Sequence, residues 1–137
     1  MRVGVRNTFY FALNYFNMNA VDKIEAFKLR TKSLSLRMIR LFQSLPKTDE
    51  ARIIGKQLLR SATSVAANYR ASCRSRSDRE FCSKISIVVE ETDETLFWLE
   101  LLLEAQIVSK EKLSLLMDEY EEVLKIVNTI RHTRKRK

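Results

Sequence analysis

Two glycines and one proline in 137 residues leave this chain with almost nothing that turns a backbone. A β-sandwich or barrel needs turn residues roughly every eight to twelve positions, and a doubly wound α/β domain needs Gly-rich strand-to-helix turns. Gly4, Gly55 and Pro46 cannot supply either, so a few long helices remain. Cysteine is scarce too: Cys73 and Cys82 form no CxxC pattern. In a chain with room for a core they read as reduced cytosolic thiols, not a secreted disulfide framework. The one histidine, His132, lies in a basic tail, and with two cysteines at this spacing it does not make a zinc site. Di-iron bundles need inward Glu-x-x-His pairs. Here Glu91-Thr92-Asp93-Glu94 offers carboxylates without a histidine. No Gly-rich phosphate loop exists. The expectation is a protein with no catalytic residues, no metal and no cofactor.

Long apolar runs are also missing, and none reaches the roughly 18 to 20 residues of a membrane span. The opening MRVGVRNTFYFALNYFNM has a basic start and an aromatic patch, but Asn14 and Asn17 break its apolar run. No A-x-A-like cleavage site follows, so it does not read as an export signal. A cytoplasmic protein without a membrane partner is expected.

What is present is charge and apolar residues in globular proportion, 31% and 45%. A single domain of this size buries about 68% of its unfolded surface, enough for a core without staples. The net charge of +8 is unevenly spread. Residues 1–77 carry fifteen Lys/Arg against four Asp/Glu (+11), residues 78–130 five against thirteen (−8), and residues 131–137 five against none (+5). Such a split suggests a basic face for a polyanion, or complementary faces that meet in an oligomer. Two solvated helix faces of opposite bias are the plainer alternative.

The helical period begins at Asp22. Phe27, Leu34, Met38, Leu41 and Leu45 make one stripe, and Pro46 ends this first helix. Thr48, followed by Asp49 and Glu50, caps a second helix whose buried face is Ile54, Leu58, Ala62, Val65 and Tyr69. Gly55 costs this helix about 1 kcal/mol against Ala. Ser77-Asp78-Arg79-Glu80 is a capping box opening a third helix, expected to run to about Gln106. Its apolar surface is Phe81, Ile85, Val88, Leu96, Leu99, Leu102 and Leu103. Ser109 caps a fourth, with Leu113, Leu116, Tyr120, Val123, Val127 and Ile130 in a two-per-heptad seam. The longest helices extend about 40 Å. Short loops force neighbours antiparallel, so the chain reads as all-α, an up-down-up-down antiparallel four-helix bundle.

Two features go beyond packing. Gln57, Arg60 or Ser61, Ser64 and Asn68 form a polar stripe on the second helix, although Ser, Thr and Asn are neutral to unfavourable inside helices. Such a stripe fits a seam that fixes packing partners, with Glu91 or Glu94 as counter-charges for Arg60; a solvated face is the alternative. The second feature is two basic clusters: Arg70, Arg74 and Arg76 with Lys84 across the turn, and Arg131, Arg134, Lys135, Arg136 and Lys137. They are the candidate nucleic-acid contacts, acting through counterion release with little sequence preference. Trp98 and Tyr69 read as core or interface anchors, not base-stacking platforms.

The runs Lys56–Arg70, Asp78–Phe81 and Asp93–Leu101 resemble the bacterial four-helix-bundle family of large-subunit rRNA intervening-sequence proteins. A related branch is the accessory variability determinant of diversity-generating retroelements. The resemblance spans roughly residues 22–132 and is in register over two helices. It implies a ring-like homopentamer. For the retroelement branch it implies a basic surface for nucleic acid and a reverse-transcriptase partner. For most members it implies no established activity. The matching motif positions are Gln57, Arg60, Ser61, Ser64, Asn68 and Arg70, then Glu94, Trp98 and Glu100. Family members often have Glu after the arginine matching Arg70; this chain has Ala71, which makes the patch more basic.

The expected organisation is thus an N-terminal extension over 1–21, a bundle over 22–132 and a basic tail over 133–137. The extension is either an interfacial or partner-binding segment or an upstream addition ahead of Met18; family members begin just before the first helix, which favours Met18. The expected function is a non-enzymatic oligomer binding RNA or DNA electrostatically, as an accessory to a reverse transcriptase or an rRNA-linked element. The alternative is a protein-interaction bundle with no nucleic-acid role.

Overall fold

The computed structural model describes residues 19–135, without the side chain of Lys135. The N-terminal extension through Met18, together with Arg136 and Lys137, lies outside the described residues. Four helices fill the rest: α1 (Ala20–Ser44), α2 (Asp49–Ser72), α3 (Asp78–Glu104) and α4 (Lys110–Lys135). Among the described residues there is no strand.

Each boundary has a local cause. Asn19 Oδ1 accepts from the Asp22 N–H at 2.9 Å, so α1 starts two residues ahead of the expected position 22; the cap residue sits in the stretch assigned to the extension. Pro46 closes α1, and Thr48 Oγ1 accepts from the Ala51 N–H to open α2. Ser77 Oγ accepts from the Glu80 N–H. The Glu80 carboxylate reaches one residue further back than a capping box requires and accepts from the Arg76 N–H. α3 stops at Glu104, not Gln106, because Gln106 enters the left-handed region at φ 58°. The Ile107 N–H then bonds the Leu102 carbonyl and the Gln106 N–H the Leu103 carbonyl, the paired bonds of a Schellman motif. At the other terminus, Thr133–Lys135 contain no breaker, and their cations suit a helix C-terminus. α4 therefore carries on through Lys135 into the segment expected to be a tail.

The apolar stripes converge. Phe27, Leu34, Met38, Leu58, Val65, Ile85, Leu99, Leu102, Leu113, Tyr120 and Val127 are among the buried core, while Leu41, Ile54, Phe81, Leu103 and Ile130 are partly buried against it. Each fully buried large side chain contributes about 1.5–3 kcal/mol. Phe27 meets Tyr69 edge-on at 4.6 Å between ring centroids, and Ser35 Oγ reaches the Ala62 carbonyl at 3.4 Å. These two contacts set the antiparallel register of α1 on α2. Where they pack near the α1–α2 turn, Gly55 has a reason beyond tolerance. A Cβ there would stand 2.5 Å from Leu45 Cδ1 and 3.0 Å from Phe42 Cδ2, so one of those side chains would have to move.

Polar groups inside the bundle are mostly satisfied within it. Thr31, Thr92 and Thr95 each return a hydroxyl to a carbonyl four residues earlier, and Thr95 Oγ1 also stands within hydrogen-bond distance of Ser61 Oγ, 3.0 Å away across the α2–α3 contact. α1 and α4 are bridged by an ion cluster around the buried Arg30. Arg30 Nη2 lies 3.0 Å from both Glu119 Oε2 and Glu122 Oε2. This ion cluster joins the first helix of the bundle to the last.

Candidate nucleic-acid interface

The antiparallel register decides which cations stand together. The C-terminal half of α2 runs beside the N-terminal half of α1, so Arg70 and Arg74 share a shallow groove with Lys28 and Lys32 and with one acid, Glu25. The groove floor is built from small side chains, Thr63, Ala66, Ala67 and Ser35. Lys28 is partnered by Glu25 at 3.1 Å. Lys32, Arg70 and Arg74 are exposed. Lys28 and Lys32 were not among the sequence candidates. Their signal is their four-residue spacing on α1, but only the packing of α1 on α2 shows which groove they border.

The remaining candidate cations do not gather there. Arg134 donates to Asp78 Oδ1 at 2.9 Å and lies over the Phe81 ring at 4.5 Å, fastening the end of α4 to the start of α3. Arg131 donates to Asn128 Oδ1 at 3.1 Å. Arg76 is exposed and lines an end cleft with Lys23, Cys73, Ser75 and Arg134. Lys84 is half-buried on α3. Lys135 is in α4 with its side chain outside the described set, and Arg136 and Lys137 lie outside it altogether.

The motif stripe faces α3. Arg60 Nη1 meets Glu91 at 3.2 Å and Nη2 meets Glu94 at 2.5 Å, the two carboxylates expected to oppose it. Gln57 Oε1 accepts from Arg60 Nε at 3.4 Å, and Trp98 Nε1 donates to Glu94 Oε1 at 3.2 Å. Hydrogen bonding from Arg60 holds the Glu94 carboxyl below its ordinary value, and the same bond raises the Arg60 guanidinium. Asn68 Nδ2 donates to both Ser64 Oγ and the Ser64 carbonyl at 2.9 Å, so these two positions satisfy each other. Ser61 is buried against Thr95.

A second groove between α3 and α4 has the other sign. Glu100 borders it with Asp93, Glu121 and Lys125, around Leu96, Leu124 and Phe97. Phe97 is 50% exposed and rests edge-on against Trp98.

No three His, Cys, Asp or Glu side chains among the described residues group to hold a metal ion. No described helix is long and apolar enough to cross a membrane.

These features define an antiparallel four-helix bundle with one groove predominantly basic and another predominantly acidic. The sequence profile of the family described as 23S rRNA-intervening sequence protein matches residues 22–129, and the chain belongs to that family. A solved structure from Bacteroides thetaiotaomicron, described as a protein of unknown function from the S23 ribosomal protein family, is similar in fold. It has a TM-score of 0.71 and 29% sequence identity over 76% of this chain and 96% of its own. No curated protein matches the chain.

Proposed function

We propose that this chain is a non-catalytic protein that binds the phosphate backbone of RNA or DNA through the α1–α2 groove. The observation that carries the reading is the meeting of Lys28, Lys32, Arg70 and Arg74 along one groove. Meanwhile residues 78–130, which make α3 and most of α4, hold a net −8. Cations so placed gain affinity by releasing condensed counterions, and contacts of this kind carry no sequence information. The family description ties its members to intervening sequences of 23S rRNA, which makes an rRNA-linked element a natural setting. Reversing two groove charges (Lys32→Glu with Arg70→Glu) tests it. Binding to generic nucleic acid at low salt should fall by more than tenfold while the helical circular dichroism stays unchanged. Unaltered binding would refute the groove as the contact.

A second reading rests on different residues. Leu36 and Ile39 are exposed on α1 with Arg40 beside them, while Phe97 is exposed on the diagonal helix among acids. Two unlike faces of complementary charge suit head-to-tail association of copies, which closes into a ring or runs on as a filament. Light scattering should then give an oligomer for the native chain and a smaller species for Phe97→Asp. A native monomer would refute it.

A further inference from the structure

Resting on the proposed nucleic-acid reading, we infer that the α1–α2 groove is built for the backbone of a double-stranded nucleic acid, not for single strands. Single-strand binders combine a basic track with aromatic side chains on which bases stack, each stacked base being worth about 1–3 kcal/mol. The track is here, and among the described residues no aromatic side chain borders it. Leu29 is the one large apolar side chain bordering the groove, and it has no π face.

The described aromatics are all placed elsewhere. Phe27, Tyr69 and Tyr120 are in the core, and Phe42 is partly buried against it. Phe81 is covered by Arg134. Trp98 is held by Glu94, and Phe97 stands among Asp93, Glu100 and Glu121, whose carboxylates repel phosphate. Among the described residues, a base splayed from a single strand bound in the groove would find alanine and threonine, whereas the cations offer partners to the backbone.

Spacing agrees with a backbone contact. Lys28 and Lys32 are four residues apart on α1, as are Arg70 and Arg74 on α2, about 6 Å along each helix. The Phe27–Tyr69 and Ser35–Ala62 contacts stagger the two pairs so that the cations follow one another over roughly 15 Å at 1.5 Å per residue. The number of cations, not the length they span, sets how many phosphates the groove can contact. With Lys28 shared by Glu25, three to four phosphates should be neutralised, giving a slope of log K on log salt of about −3 for a duplex.

The test uses the full chain and four probes: a short mixed-sequence duplex as RNA and as DNA, and one unstructured strand of each. Titrations run between about 50 and 200 mM salt. The expected result is at least fivefold tighter binding to the duplexes, with a slope near −3 that Arg70→Ala reduces by about 1. If duplex RNA and duplex DNA are bound alike, recognition is of the shared backbone; a preference for one identifies the helical form the groove fits. Equal or tighter binding to the single strands would overturn the inference and leave the nucleic-acid reading standing. Binding to none of the four would remove both.

Discussion

Two arginines in this bundle each face two glutamates on another helix, and they differ in burial. Arg30, on α1, has a side chain 7% exposed and is held by Glu119 and Glu122 of α4. Arg60, on α2, is 50% exposed and is held by Glu91 and Glu94 of α3. The glutamates are about equally covered in both clusters, so the difference lies in the guanidinium: losing a glutamate strands Arg30 away from water, whereas water can take the lost partner's place at Arg60. The same residue types therefore do different work. Arg30 locks α1 to α4, whereas Arg60 chiefly orients a surface network that includes Gln57 and Trp98.

The largest effect should come from breaking the cluster around the buried Arg30. Arg30→Ala is expected to lower unfolding free energy by about 3 kcal/mol, because it empties the buried space that the Arg30 side chain fills as well as leaving two partly buried glutamates unpaired; urea denaturation measures this. Beside Glu119, Tyr120 carries a buried hydroxyl without a hydrogen-bond partner, and burial pushes its ionisation well above the ordinary 10.0. Tyr120→Phe should stabilise the protein by about 1–2 kcal/mol, since it deletes an unsatisfied polar group. The native chain should also lose stability as pH rises above 10, where only the unfolded tyrosine ionises; the variant should lose less.

A change outside both clusters sets the scale. Gln106→Gly relieves a left-handed residue at the end of α3 and should gain about 1 kcal/mol. Smallest of all, Arg60→Ala should cost less than about 1 kcal/mol, as exposed pairs do. Its acid dependence has a definite sign. Glu94 is held below its ordinary 4.5, so its contribution is present above that pH and fades as pH falls through the lower folded value. Comparing thermal midpoints of native and Glu94→Gln chains at neutral and acid pH should show the gap closing in acid. A loss for Arg60→Ala as large as for Arg30→Ala would break the comparison.

The comparison also shows what could be read from residue order. The four helices and their buried stripes were legible because breakers are few and the apolar period holds within each helix. Arg60 was legible for a related reason: small polar residues inside a helix stand out, and Glu91 and Glu94 share a helical face. Arg30 was not, being one cation in a helix full of them. Its signal was phase, since it falls three residues after Phe27 and four before Leu34, within the core stripe. Gln106 gave no sign, because the Schellman turn is made without the glycine that usually marks it. The basic groove was half legible. Arg70 and Arg74 stood out as a cluster, but Lys28 and Lys32 join them only through the pairing of α1 with α2, which composition does not encode.

The two arginine-rich neighbourhoods meet in one experiment on function. Arg70 is exposed on the basic groove, while the charge of Arg60 is held by Glu91 and Glu94. The salt dependence of binding to a nucleic-acid duplex should be measured for the native chain, Arg70→Ala and Arg60→Ala. Arg70→Ala should reduce the slope by about 1, the signature of one lost phosphate contact, and Arg60→Ala should leave it unchanged. Identical slopes for the native chain and Arg70→Ala would contradict a phosphate-binding groove between α1 and α2.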